Sequence, residues 1–116
     1  MLRDARGRGT TVFSRRADSL LSREDRDRLI NTLASDPAQG DLVPGLGGIR
    51  KMRFSAGGQG KRGAFRVIYF VASADMPILA LIIYGKNEQA NPTADQRRAM
   101  LAVVETIKAE ARHRSV

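Results

Sequence analysis

The chain has no cysteine, which excludes disulfides and thiolate metal sites and suits a reducing compartment. It has one histidine, His113, set in the polar segment ARHRSV. A solvated histidine is the commoner reading there than a ligand or a general base. No Ser-His-Asp or Cys-His arrangement and no close carboxylate pair can be assembled from the strand-like segments, so conventional hydrolase chemistry is disfavoured and no metal or cofactor is expected. The longest apolar run, Ile78–Tyr84, is too short to cross a bilayer, and the first residues carry no apolar signal core. The expectation is a soluble cytoplasmic protein with no membrane partner.

One further absence leads the functional argument. Between Asp41 and Asp75 there is no acidic residue, yet Arg50, Lys51, Arg53, Lys61, Arg62 and Arg66 all lie there. The whole chain carries 20 Lys and Arg against 12 Asp and Glu, a formal charge of +8. Concentrated positive charge without a local counter-charge favours a polyanionic partner, with phosphate the usual candidate. Basic surface that only confers solubility is the plain alternative.

What is present reads as one domain. With 116 residues, 42% of them apolar, the chain can bury a modest core without staples. Residues 1–9 read as a flexible basic arm, 10–112 as the domain and 113–116 as a tail. Thr10–Phe13 has the composition of a short first strand. Ser14 can cap a helical turn running to Leu21. Ser22 and Asp25 then open a second helix with Leu29, Ile30, Leu33 and Ala34 on one face. Asp36-Pro37 ends it. The charges from Arg23 to Arg28 read as a solvated face, and residues 36–48 as a Gly/Pro-rich linker.

Alternation over Ile49–Phe54 places Ile49, Lys51 and Arg53 on one side and Arg50, Met52 and Phe54 on the other. Residues 55–63 return the chain as a hairpin. Phe65–Ala72, apolar except for Arg66, reads as a central strand covered on both faces, and Ile78–Tyr84 as another buried strand. Thr93 and Gln96 form a capping box for the last helix, whose stripe is Met100, Val103, Val104 and Ile107. The expected fold class is α+β, with a small antiparallel sheet and helices packed on one of its faces.

The loop GGQGKRG is not a P-loop. Ser55 stands where the first glycine is required, Arg62 where Ser or Thr should bind magnesium, and the context is a hairpin. A GxxG match at Gly57–Gly60 lacks the flanking helices of a KH domain. Lys51, Arg53, Arg66 and Lys86 form the better constellation. If the three strands are neighbours, these side chains meet on one open sheet face as a phosphate site. Snorkelling edge residues are the competing account, strongest for Lys51 and Arg53. Arg66, inside an apolar run, needs a partner. Such a site suits RNA, which brings its own 2′-hydroxyl nucleophile. The protein need only align it and stabilise charge on the phosphate oxygens. A lysine hemmed in by cations serves as proton acceptor near neutrality, and Tyr69 or Tyr84 would stack on a base or assist proton transfer, a place in the core being the commoner reading for both.

Four stretches in order, VPGLGGIRKMRF, GKRG, RVIYF and IIYGKNEQ, resemble the RelE/HigB superfamily of bacterial toxin–antitoxin systems over about residues 10–110. The resemblance implies a RelE-like (microbial RNase-like) fold and a toxin that cleaves mRNA in the ribosomal A site, leaving a 2′,3′-cyclic phosphate. It implies a protein antitoxin, commonly with a helix-turn-helix domain, through which operator DNA is bound. By position, the catalytic cluster falls on Lys51, Arg53, Arg66 and Lys86, with Arg50, Lys61 and Arg62 as ribosomal RNA contacts. The chain differs from several relatives in having Asn87 beside the last lysine, Phe54 where another aromatic is usual, and no tyrosine in the last helix.

Overall fold

The structure, a computed structural model, describes residues 7–9, 11–57, 64–71 and 78–114. The elements in chain order are β1 (Gly7–Gly9), α1 (Thr11–Leu20), α2 (Arg23–Ser35), β2 (Asp41–Leu42), β3 (Ile49–Ser55), β4 (Ala64–Val71), β5 (Ile78–Gly85) and α3 (Ala94–Arg114). The strands form one sheet in the order β1-β5-β4-β3-β2. β2, β3, β4 and β5 are antiparallel neighbours, and β1 adds to β5 in parallel. This is a small α+β fold.

The centre of the sheet follows from period-two patterning. β4 sends Phe65, Val67 and Tyr69 to one face, with Phe54 of β3 and Ile78, Ala80 and Ile83 of β5. It sends Ile68 and Phe70 to the other, with Ile49 of β3 and Ile82 and Tyr84 of β5. The phase is kept across a register shift, where Ile68 pairs with Ile82 but Tyr69 with Ala80, so β5 holds one extra residue, Leu81. Each large side chain fully buried in this way stabilises the fold by about 1.5–3 kcal/mol.

The helices cover both faces, which corrects the one-face expectation. α1 and α2 lie on the first face through Phe13, Ala17, Leu21, Leu29 and Leu33. α3 lies on the second through Met100 and Val104. A central strand apolar on both sides requires cover on both, and three helices divided two against one supply it.

The chain entry also differs from expectation. Thr11–Phe13 begins α1 rather than a strand, because Phe13, Ala17 and Leu21 recur at helical spacing and bury together. The first strand is instead Gly7–Gly9, inside the segment expected to be a free arm, and its pairing with Ile78–Ala80 uses only backbone. The caps at Ser22 and at Thr93 fall where the sequence puts them, but Ser14, expected to cap the first helical turn, lies inside α1 and caps nothing. Asp25 N donates to Ser22 Oγ (3.1 Å). Gln96 N donates to Thr93 Oγ1 (3.1 Å) while Thr93 N donates to Gln96 Oε1 (2.9 Å). α3 continues to Arg114, past the start of the expected tail.

Three arginines fasten loops to this frame. Arg16 Nε donates to Ile83 O (2.6 Å), beyond the end of β1, and its guanidinium pairs with Glu88. Arg28 donates to Ser55 O (2.8 Å), pairs with Asp25 (3.0 Å) and lies 4.6 Å from the Phe54 ring centre. Gly57 N donates to the same Asp25 carboxylate (3.1 Å). The charges at Asp25 and Arg28, read as a solvated face, therefore hold the exit of β3. Arg50 donates to Gly40 O (2.6 Å) and Ala38 O (3.2 Å), beside the Tyr69 hydroxyl, which accepts from Gly40 N (2.8 Å) and donates to Pro37 O (2.8 Å). Among the described residues no helix is long and apolar enough to cross a membrane.

Two tests follow from these fastenings. A methyl built on Gly40 would stand 2.7 Å from the Tyr69 hydroxyl and 2.9 Å from Lys51 O. Gly40→Ala should therefore cost about 1–3 kcal/mol of stability in urea unfolding. Arg28 and Gly57 N hold the Asp25 carboxyl below its ordinary range, and Arg16 does the same for Glu88. A carboxyl lowered on folding adds stability that is present above its unfolded pKa and lost as pH falls through the folded one. Wild type should lose a modest part of its stability below about pH 4, and Glu88→Gln or Asp25→Asn should flatten that limb. Urea midpoints measured between pH 6 and 2.5 check it.

Candidate functional site

Three of the four nominated catalytic cations fall on the sheet face that α3 covers, past the reach of its apolar contacts. Lys51 and Arg53 are in phase with Ile49 on β3, and Arg66 is in phase with Ile68 on β4. Arg53 and Arg66 are direct cross-strand partners, and Arg66 is in turn opposite Tyr84. Neighbouring strands lie roughly 4.8 Å apart and alternate residues about 6.5–7 Å along a strand, so the three charges share an area that one phosphodiester can bridge. Arg53 is exposed; Lys51 and Arg66 are half-buried. Among the described residues none of the three forms an ion pair.

The cations line an open cleft of about 410 Å³ together with Gln39, Gly40, Asp41 and Met52. The far wall is made by residues read as linker. Asp41 opens β2 directly across from Lys51. Tyr69 and Arg50 fix the preceding turn by the hydrogen bonds given above. The wall position is thus set from the core side of the sheet. Among the described residues Asp41 is the one carboxylate lining the cleft. Sequence reasoning misses it because pairing of a two-residue strand leaves no periodic signal, and an isolated Asp in a Gly/Pro-rich stretch looks like turn chemistry.

The remaining nominated residues are elsewhere. Lys86 is exposed in the turn after β5, its N–H donating to Ala64 O (3.0 Å), and it does not line the cleft. Glu88 steadies that turn by accepting from Gly85 N (3.2 Å). Arg50 points to the opposite sheet face, where its guanidinium is engaged by loop carbonyls, so its expected role as an RNA contact gives way to a structural one. Tyr84, nominated to bind a base, has 0% exposure. It packs among Ile82, Met100 and Val104 with its hydroxyl 3.4 Å from Ala90 O, and is not available for stacking. Burial pushes its phenol up and the nearby Arg66 charge partly opposes this. Tyr69 is likewise enclosed, and burial raises its phenol too. Lys61 and Arg62 lie outside the described residues.

Among the described residues no group of three His, Asp or Glu is placed to hold a metal ion. What the cleft offers is two guanidinium forks, one ammonium and one carboxylate on a rigid sheet. That set can grip a phosphate and exchange a proton beside it. No protein-family model matches the sequence.

Like charges directly opposite on antiparallel strands are destabilising by roughly 0.2–1 kcal/mol. Arg53→Thr should therefore hold or raise the melting temperature at low salt. It should also diminish the stabilisation that added phosphate gives the wild type. Thermal melts with and without phosphate measure both effects.

Proposed function

We propose that this chain is a ribosome-dependent mRNA endoribonuclease, the toxin of a type II toxin–antitoxin pair, working by attack of the RNA 2′-hydroxyl. The observation that carries the reading is the cluster of Lys51, Arg53 and Arg66 on one uncovered patch of sheet, with no ion-pair partner among the described residues. The motif resemblance supplies the ribosome and the antitoxin, a protein with a helix-turn-helix domain.

In the proposed reaction the 2′-oxygen forms a bond to phosphorus and gives up its proton to the Asp41 carboxylate, across from Lys51. The P–O5′ bond breaks, and the leaving oxygen takes a proton to become a 5′-hydroxyl. The other product is a 2′,3′-cyclic phosphate. Arg53 and Arg66 bind the non-bridging oxygens, where negative charge grows in the transition state and fixed donors are worth most. Strand pairing sets the two arginines directly opposite each other, so one phosphate can be reached from both.

The burial of Tyr84 favours a second reading, a protein that occupies ribosomal RNA through the same cations without cutting. Translation reactions with mRNA cleavage mapping separate the two. Cleavage with cyclic-phosphate ends, reduced about 10²–10³-fold by Arg66→Ala in a variant that melts like wild type, is the expected result. Translation arrested with intact mRNA would establish the binder. Translation proceeding unaffected would remove both.

A further inference from the structure

The flank of α3 turned toward the β2–β3 connection carries Arg97, Leu101, Val104 and Lys108, one stripe at helical spacing. Leu101 and Val104 pack into the second core. The two cations at the ends of the stripe lie over the loop Gly45–Gly48. A methyl built on Gly45 would stand 3.9 Å from Arg97 Nη2, and one on Gly47 would stand 3.2 Å from Lys108 Nζ and 3.9 Å from Val104. Gly45, Gly47 and Gly48 all have positive φ (76°, 68° and 105°), and the loop's one side chain, Leu46, is buried in the second core.

Both cations are half-buried, and neither forms an ion pair or a side-chain hydrogen bond among the described residues. The acidic neighbours on the helix do not neutralise them. Asp95 is taken by Arg98, and Glu105, three residues before Lys108, is exposed and makes no ion pair among the described residues. Long cations held partly out of water beside apolar contacts, without a carboxylate, are a vacant position for an anion. Their Cα atoms are separated by about 16 Å of helix axis, and both heads reach the same four-residue loop.

We propose that Arg97 and Lys108, laid across the Gly45–Gly48 loop, form a second phosphate-binding subsite for a single-stranded RNA. The strand is the one whose reacting phosphate lies at Lys51, Arg53 and Arg66. This rests on the reading given under Proposed function and extends it. Lys51, Arg53 and Arg66 are on the sheet face that α3 packs on, and the glycine loop leads through Ile49 and Arg50 to Lys51. A strand crossing the cleft continues over the loop with its backbone facing the two helix cations. The subsite reads phosphates, not bases, so it adds affinity without sequence preference.

Binding of labelled RNA oligonucleotides of 4 and 12 nucleotides, measured against salt concentration, tests the proposal with wild type, R97A/K108A and R53A/R66A, each checked by thermal melting. Each phosphate contact contributes about 0.7 to the slope of log K against log salt for single strands. R97A/K108A should lower the 12-mer slope by about 1.4 and its affinity on the order of tenfold at low salt. It should leave the 4-mer unchanged, while R53A/R66A weakens both lengths. A 12-mer bound identically by R97A/K108A, with R53A/R66A still weakened, overturns the subsite and leaves the cleft standing. Weakening in R97A/K108A alone keeps the subsite as an anion site and removes the cleft reading. Unchanged binding in both variants, or no RNA binding by wild type, overturns both. R97K/K108R, which keeps the charge, should retain most of the 12-mer affinity.

Discussion

α3 closes only part of the sheet face it packs on. Its core contacts, Met100 and Val104, meet Ile49, Ile68, Phe70 and Ile82, and the neighbouring row of Lys51, Arg53 and Arg66 is left in contact with water. Hydrophobic burial and charge exposure are thus assigned to adjacent stretches of the same two strands, β3 and β4. The apolar part makes the strands rigid, and that rigidity keeps the cations together despite their mutual repulsion. A sheet stabilised on both faces can carry a locally unfavourable row of charges, as functional sites commonly require.

With 20 Lys and Arg in the chain, basicity alone distinguishes none of them; their partners do. Arg16, Arg28 and Arg50 donate to main-chain carbonyls far away in sequence and act as fasteners. Arg26 and Arg98 are absorbed by nearby carboxylates. Lys51, Arg53, Arg66, Arg97 and Lys108 have neither kind of partner among the described residues. The sorting matters most for Arg50 and Lys51. They are adjacent in sequence, yet strand alternation sends one to loop carbonyls on one face and the other to the cleft on the opposite face.

Part of this arrangement is legible in the amino-acid sequence. Period-two alternation puts Lys51 and Arg53 on one side of β3, and the apolar run around Arg66 marks β4 as central. The caps at Ser22 and at Thr93 with Gln96 are readable because each rests on a local hydrogen bond between residues a fixed distance apart. The phase of Arg66 relative to Lys51 is not readable, since it depends on hairpin register and nothing in the loop composition fixes that. The side of the sheet taken by each helix is equally hidden, because an apolar stripe says what is buried and not against which face. Gly7–Gly9 and Asp41–Leu42 pair through main chain alone and leave no side-chain pattern. Tyr84 fails as an RNA contact because an aromatic at a strand end looks the same in sequence whether a helix lies over it or not.

The Arg16 contact also determines how the sheet can grow. Among the described residues β1 pairs with β5 from Ile78 to Ala80, and farther along β5 the Ile83 carbonyl is occupied by Arg16, which keeps it from a foreign strand. A peptide seeking to extend the sheet there has to displace a guanidinium that is itself anchored by Glu88. The opposite rim ends in a strand of two residues bearing the exposed Leu42, too brief to template a long ladder. Among the described residues, the occupied Ile83 carbonyl and the brevity of β2 are thus the features that limit strand addition.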